Sequence, residues 1–275
     1  MDSLILKLIL TPALIGVASL AGRRWGPAVS GWLVGLPLTS GPVAFFLALS
    51  HGAAFAAAAV VGTLTGTFAE CTFCLTYAWL ARRAGWPLTL GISCLAFLGP
   101  LAALQYLVLP LALLFSLILV ALSLALRLMP PRAETEQKSD LRAREPLAKG
   151  APPRWDIPLR MVLATGIVLL LTSAAPALGP RLSGLLATFP VYVSILSTFA
   201  HRLQGPAAAA GVLRGLLMGL YAFASFFLVL ALLIERVGLA PAFAASILAA
   251  LTVQAGSLWV LRHTAASAKP AQSEV

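Results

Sequence analysis

Apolar residues run in long stretches, divided by short charged or Gly/Pro-rich segments. Several stretches are long enough to cross about 30 Å of hydrocarbon as a helix. They cover residues 4–22, 27–50 and 53–81. The run 87–129 is too long for one crossing and divides near Tyr106–Leu109 into two. Beyond a polar interval come 157–175, 180–202, 206–234 and 240–261. The pattern predicts an all-α, polytopic transmembrane bundle of about nine spans.

The spans are not independent. Gly179-Pro180-Arg181-Leu182-Ser183-Gly184 has a twin at Gly26-Pro27-Ala28-Val29-Ser30-Gly31, and the register continues. Phe46 aligns with Phe199, Gly52 with Gly205, Gly62 with Gly215, Gly66 with Gly219, Gly85 with Gly238 and Ser93 with Ser246. No gap is needed from Gly26 to Val108. A fixed self-similarity of this length marks an internal repeat. The predicted organisation is repeat one over 1–108, a linking helix over 109–129, a charged linker over 130–156, repeat two over 157–262 and a polar tail over 263–275. Each repeat holds four spans, an even number, so one intervening span inserts the second copy upside down. Inverted repeats of this kind are a hallmark of secondary transporters, whose sites lie near the membrane midplane at the repeat interface.

Composition sharpens the class. Hydrophobic residues make up 60% of the chain and charged ones 10%, against about 25% charged in soluble domains. The net charge of +10 is carried in loops between apolar spans, so it reads as an orientation and lipid-contact feature rather than a nucleic-acid surface. With the 130–156 linker placed in the cytoplasm, fifteen Lys and Arg fall inside, three outside, and Arg214 within a span. The N-terminus is then outside and the C-terminus inside. The first apolar run lacks the basic start and cut site of a cleavable signal. Cys71, Cys74 and Cys94 all lie in apolar spans, and the C-x-x-C spacing of the first two has no second pair, which favours helix packing over metal or redox work. No cofactor is expected. There is no phosphate-cradling loop for an ATP-driven pump, and no base is placed for a hydrolytic serine. The chain reads as a non-enzyme.

Candidate site residues follow from unusual backbone. The second span is interrupted at Gly35-Leu36-Pro37, the seventh at Thr188-Phe189-Pro190. Proline removes a helical hydrogen bond, and the freed carbonyl must find a partner in protein or cavity water. Breaks at matching places in two repeats point to a transporter's binding site. Pro37 and Pro190, with Ser30, Thr39, Ser40, Thr188, Tyr192 and Ser194, are the candidate substrate contacts. Harmless kinks with close helix packing are the competing reading. Arg214 and Glu70 are ionisable within spans, and each costs at least about 2.5 kcal/mol near the bilayer centre if unpaired. They lie roughly 12 Å and 16 Å from the same membrane face at 1.5 Å per residue. Either they pair, or Arg214 meets an anionic substrate while Glu70 serves as a proton or ion site. Snorkelling by Arg214 and a structural hydrogen bond for Glu70 stay open. His51 and His201 read as interfacial residues, with a proton relay the competing reading, and the small-xxx-small spacings at Gly62/Gly66 and Gly215/Gly219 as close helix contacts.

From Gly184-Leu185-Leu186-Ala187-Thr188-Phe189-Pro190 through Phe199-Ala200-His201, with Arg214 on the next helix, the chain resembles the GlpM family of small bacterial inner-membrane proteins. The resemblance covers repeat two and, more weakly, repeat one, which has Leu36-Pro37 for Phe-Pro and Val61 where Arg214 stands. It implies a bacterial inner-membrane location and support of exopolysaccharide production. The expected function is a secondary transporter or flippase of a small or lipid-linked solute, driven by an ion gradient, with membrane lipid and substrate as partners and no nucleic acid. The alternative is a non-transporting accessory protein of envelope or exopolysaccharide synthesis. Homo-oligomerisation stays open.

Overall fold

The computed structural model describes residues 2–37, 40–104, 109–131, 155–167, 169–170 and 189–266. Every regular element among them is helical. In chain order these are α1 (Asp2–Trp25), α2 (Pro27–Val34), α3 (Ser40–His51), α4 (Ala53–Leu80), α5 (Trp86–Leu104) and α6 (Leu111–Leu128). They continue with α7 (156–167), α8 (Val191–Gln204), α9 (Pro206–Val237) and α10 (Leu239–Ala266). Five of them are long and apolar enough to cross a membrane: α4, α5, α6, α9 and the 239–257 part of α10. The expected second span does not form one helix. It is split into α2 and α3 of 8 and 12 residues, about 12 and 18 Å at 1.5 Å per residue, each short of a bilayer.

Element boundaries keep the 153-residue offset. α3 ends at His51 and α8 at Gln204, α4 begins at Ala53 and α9 at Pro206, and α5 begins at Trp86 and α10 at Leu239. The hinge glycines match as well: Gly52 has φ +87° and Gly205 φ +99°. Both sit between a helix that ends and one that begins, in backbone that only glycine enters without strain. The buried positions also coincide. Leu64 and Leu217, Ala69 and Ala222, Phe73 and Phe226, and Ser93 and Ser246 are all buried. Ser93 and Ser246 each donate to the carbonyl four residues back, at 2.6 and 2.7 Å.

Two crossings fix directions. Arg23 near the end of α1 meets Asp156 at the start of α7, and a side chain added at Gly16 would touch Met161. As the number falls along α1 it rises along α7, so these repeat-equivalent helices run in opposite directions. The interrupted α2–α3 unit lies along α9. Gly211 faces Pro27, Gly215 faces Ala28, Gly35 faces Gly219 and Gly41 faces Phe226. Numbers rise together, so the two run parallel. A Cβ at Gly31 would overlap the Val212 carbonyl, and one at Gly215 the Ala28 carbonyl. Only glycine permits this backbone contact, the membrane-helix packing of small-xxx-small spacings. Gly62, the repeat partner of Gly215, has open space around it instead. The sequence expectation of close contact therefore holds for α9 and not for Gly62.

Candidate functional site

The first predicted break is a real interruption, and the second is described only from Phe189 onward, residues 171–188 lying outside the described residues. After Pro37 the α3 helix starts at Ser40. At Pro190 the backbone (φ −78°, ψ 61°) makes an inverse γ-turn, with Val191 N–H donating to the Phe189 carbonyl at 2.8 Å. α8 then begins at Val191. The breaks come together. A cavity of about 50 Å³ is lined by Leu14, Val17 and Ala18 of α1, by Leu33, Val34 and Leu36 at the first break, and by Tyr192 just past the second. Its walls are apolar apart from Tyr192, whose hydroxyl donates to Thr11 at 3.2 Å.

The other candidates distribute as follows. Pro37 and Ser40 are half-buried at the first break, and Pro190 is buried at the second. Ser30 is buried, but it donates to the Pro27 carbonyl at 2.7 Å and faces Gly22 of α1, so it packs a helix crossing. Ser194 is buried on α8, and its Oγ has no hydrogen-bond partner. Thr39 and Thr188 lie outside the described residues.

Glu70 and Arg214 do not pair. Arg214 donates to the Pro130 carbonyl at 2.7 Å, beyond the end of α6. Trp79 Nε1 donates to the Leu128 carbonyl at 2.8 Å. The last carbonyls of a helix lack intrahelical donors and carry the negative end of its dipole, so a guanidinium fits there. A backbone carbonyl carries no formal charge, so depth and charge along the sequence do not reveal such an acceptor. Glu70 keeps Oε2 buried with no hydrogen-bond partner. It lies on one stripe of α4 with Thr67, Cys74 and Tyr77, spaced by three, four and three residues. Tyr77 reaches α8, where its hydroxyl donates to Thr198 at 3.5 Å and its ring meets His201 edge-on at 6.0 Å.

An ionic cluster escaped the sequence reading. Asp156, expected at the edge of a solvated linker, is buried in the first turn of α7. It accepts from Arg160 Nε at 2.9 Å and Nη2 at 3.0 Å, and from Arg23 Nη2 at 2.8 Å. Arg160 stacks on Phe199 of α8 at 4.8 Å. The i, i+4 spacing of Asp156 and Arg160 was the available signal. These are the ion pairs among the described residues.

The contacts Arg23–Asp156, Arg160–Phe199, Tyr77–Thr198, Trp79–Leu128 and Arg214–Pro130 place the ends of α1, α4, α6 and α8 with the starts of α7 and α9 at one end of the bundle. Among the described residues no cluster of His, Cys, Asp and Glu could hold a metal. Cys71 and Cys74 are buried as free thiols. Fold and site together define a helical protein with membrane-spanning character and a broken-helix centre. No protein-family model matches the chain, and no curated protein or solved structure does.

Proposed function

We propose that the chain is a secondary transporter or flippase of a small or lipid-linked solute, with nine spans, two inverted four-helix repeats and a site at the paired helix breaks. One observation carries this reading: the segments at Pro37 and Pro190, 153 residues apart in sequence, border the same cavity through Leu36 and Tyr192. Inversion is supported by the antiparallel α1 and α7. It is supported again by α2–α3 running parallel to α9, since second and third spans of one repeat are antiparallel. The clustered helix ends fit a linking α6 that crosses the membrane. With the basic loops on the cytoplasmic side, the N-terminus lies outside a bacterial inner membrane. Pro37, Thr39, Ser40, Thr188, Pro190, Tyr192 and Ser194 would line the path, with Glu70 as the coupling site. Arg214 donates to the Pro130 carbonyl, and contact of its guanidinium with an anionic substrate stays part of the proposal. GlpM-like descent remains part of this proposal, since a four-span ancestor inserting both ways would yield the fused pair.

The cavity favours a second reading too. At about 50 Å³ it is far below the 300–1,000 Å³ of small-molecule pockets. A transporter must therefore open from this closed state, whereas an accessory protein of envelope-polymer synthesis need not. Single cysteines at Leu36 and Tyr192, in a chain lacking the native three, separate the two. Transport requires labelling by an impermeant maleimide from each side of the membrane in turn. Protection from both sides, in protein that inserts normally, refutes it.

A further inference from the structure

We infer that a proton travels between Glu70 and the arginine-rich end of the bundle through Tyr77 and His201. This deepens the transport reading by naming the coupling ion and its route. α3 joins α4, and α8 joins α9, through the tight hinges at Gly52 and Gly205. Because α3 runs parallel to α9, both α4 and α8 run antiparallel to α9 and hence parallel to each other. Tyr77 fixes their register against Thr198 and His201. Seven residues back, about 10 Å at 1.5 Å per residue, Glu70 comes level with residues 191–194, just past the Pro190 break.

At the seam that Tyr77 makes between α4 and α8, each helix carries under-satisfied polar atoms. Thr67 Oγ1, Glu70 Oε2, Ser194 Oγ and His201 Nδ1 are buried without hydrogen-bond partners. Such atoms are costly inside protein unless water or a mobile ion visits them. One carboxylate and a few hydroxyls are too few oxygens for a dehydrated metal cation, which takes about six or more. They suffice for a proton. Glu70 releases its proton to a seam water or hydroxyl. Each hydroxyl, including that of Tyr77, accepts one proton and passes its own onward. His201 accepts at Nδ1 and releases from Nε2, which leaves its other tautomer; a ring flip and rotation of the hydroxyls reset the relay, and the ionised Glu70 regains a proton from the opposite direction before the next passage. His201 is only partly buried, and it lies in the last turn of α8 beside Arg202.

Other titratable groups lie near this route, Cys74 on the same stripe as Glu70 and Tyr77. Cys71 and Cys74 flank Glu70 on α4, and Cys94 is the thiol on α5. On α9, Arg214 is held at Pro130 and Tyr221 at Ser123. Arg127 of α6 is in its last turn. Glu235 and Arg236 lie in the final turn of α9, far from Tyr77's end.

The test is infrared spectroscopy of the full chain in liposomes, following deuterium exchange at a protonated carboxyl. A C=O band that Glu70→Gln removes and Glu70→Asp shifts is expected. Its exchange should slow about a hundredfold in Tyr77→Phe and in His201→Gln, the lower end of what a positioned acid–base group contributes. Exchange unchanged in both variants overturns the route. No such band, or one displaced by added sodium and indifferent to pH, overturns the proton. If Leu36 and Tyr192 cysteines are protected while this exchange behaves as expected, transport fails and the relay stands.

Discussion

Replacing Asp156 by Ala should be among the most damaging single changes outside the apolar core. Its carboxylate is 1% exposed and takes three hydrogen bonds from two arginines. Arg160, at 9% exposure, would keep its charge and lose its anion. Stacking on Phe199 at 4.8 Å recovers only part of this. Removing one partner from a buried pair costs about 3–5 kcal/mol. Arg23→Ala is the contrast, since that side chain is 35% exposed and pairs of that kind contribute about 0–1 kcal/mol. At about 2–4 °C per kcal/mol for a chain of this order of size, Asp156→Ala should lower the unfolding midpoint by roughly 6–20 °C, and Arg23→Ala by no more than about 4 °C. Tryptophan fluorescence during heating in detergent reads both. The double change Asp156→Leu with Arg160→Met should regain most of the loss, because a packed apolar pair often equals a buried ionic one. Equal small losses for Asp156→Ala and Arg23→Ala would refute the burial argument. So would a double variant as unstable as the single.

Gly31→Val or Gly215→Val should cost about 1–3 kcal/mol or more by forcing α2 off α9, while Gly91→Ala, with open space around it and Ala244 as its repeat partner, should leave the same midpoint unchanged. Arg214→Gln should lose about 1–3 kcal/mol, the range for a hydrogen bond to a charged group or an orphaned buried acceptor; proteolysis near Pro130 would report the loosened end of α6, and an unaltered cleavage rate would count against the tie. For topology, cysteines replacing His51 and Lys138 should react from opposite sides of the membrane, and reaction of both from one side would overturn the nine-span arrangement.

Much of the architecture was legible because its determinants are local. Apolar run length selects membrane-crossing helices. Pro37 follows the end of α2 and Pro190 stands just before the start of α8, where a missing donor costs little, whereas Pro12 and Pro100 lie inside α1 and α5 without ending them. The 153-residue repeat aligned Gly52 with Gly205, and the structure gives both a positive φ between two helices. The site was legible only in part. Its two breaks could be read from composition, but not the cavity they share, nor Tyr77 as the link from the Glu70 stripe to His201. For Arg214 and Glu70 the sequence offers depth within the membrane, and depth along two helices does not say which way their side chains face.

The amino-acid order alone determined helix class, the long apolar runs and the break at Pro37, since each depends on residues within a few turns of one another, and the self-similarity at 153 residues was legible because it compares one local stretch with another. Only the tertiary structure decided the partners of the charges. Arg23 and Asp156 are 133 residues apart, and Arg214 and Pro130 are 84 apart. A buried charge is stabilised by whatever acceptor the packed helices bring to it, whether carboxylate or helix-end carbonyl. That choice is made by the crossing of helices, which no local pattern specifies.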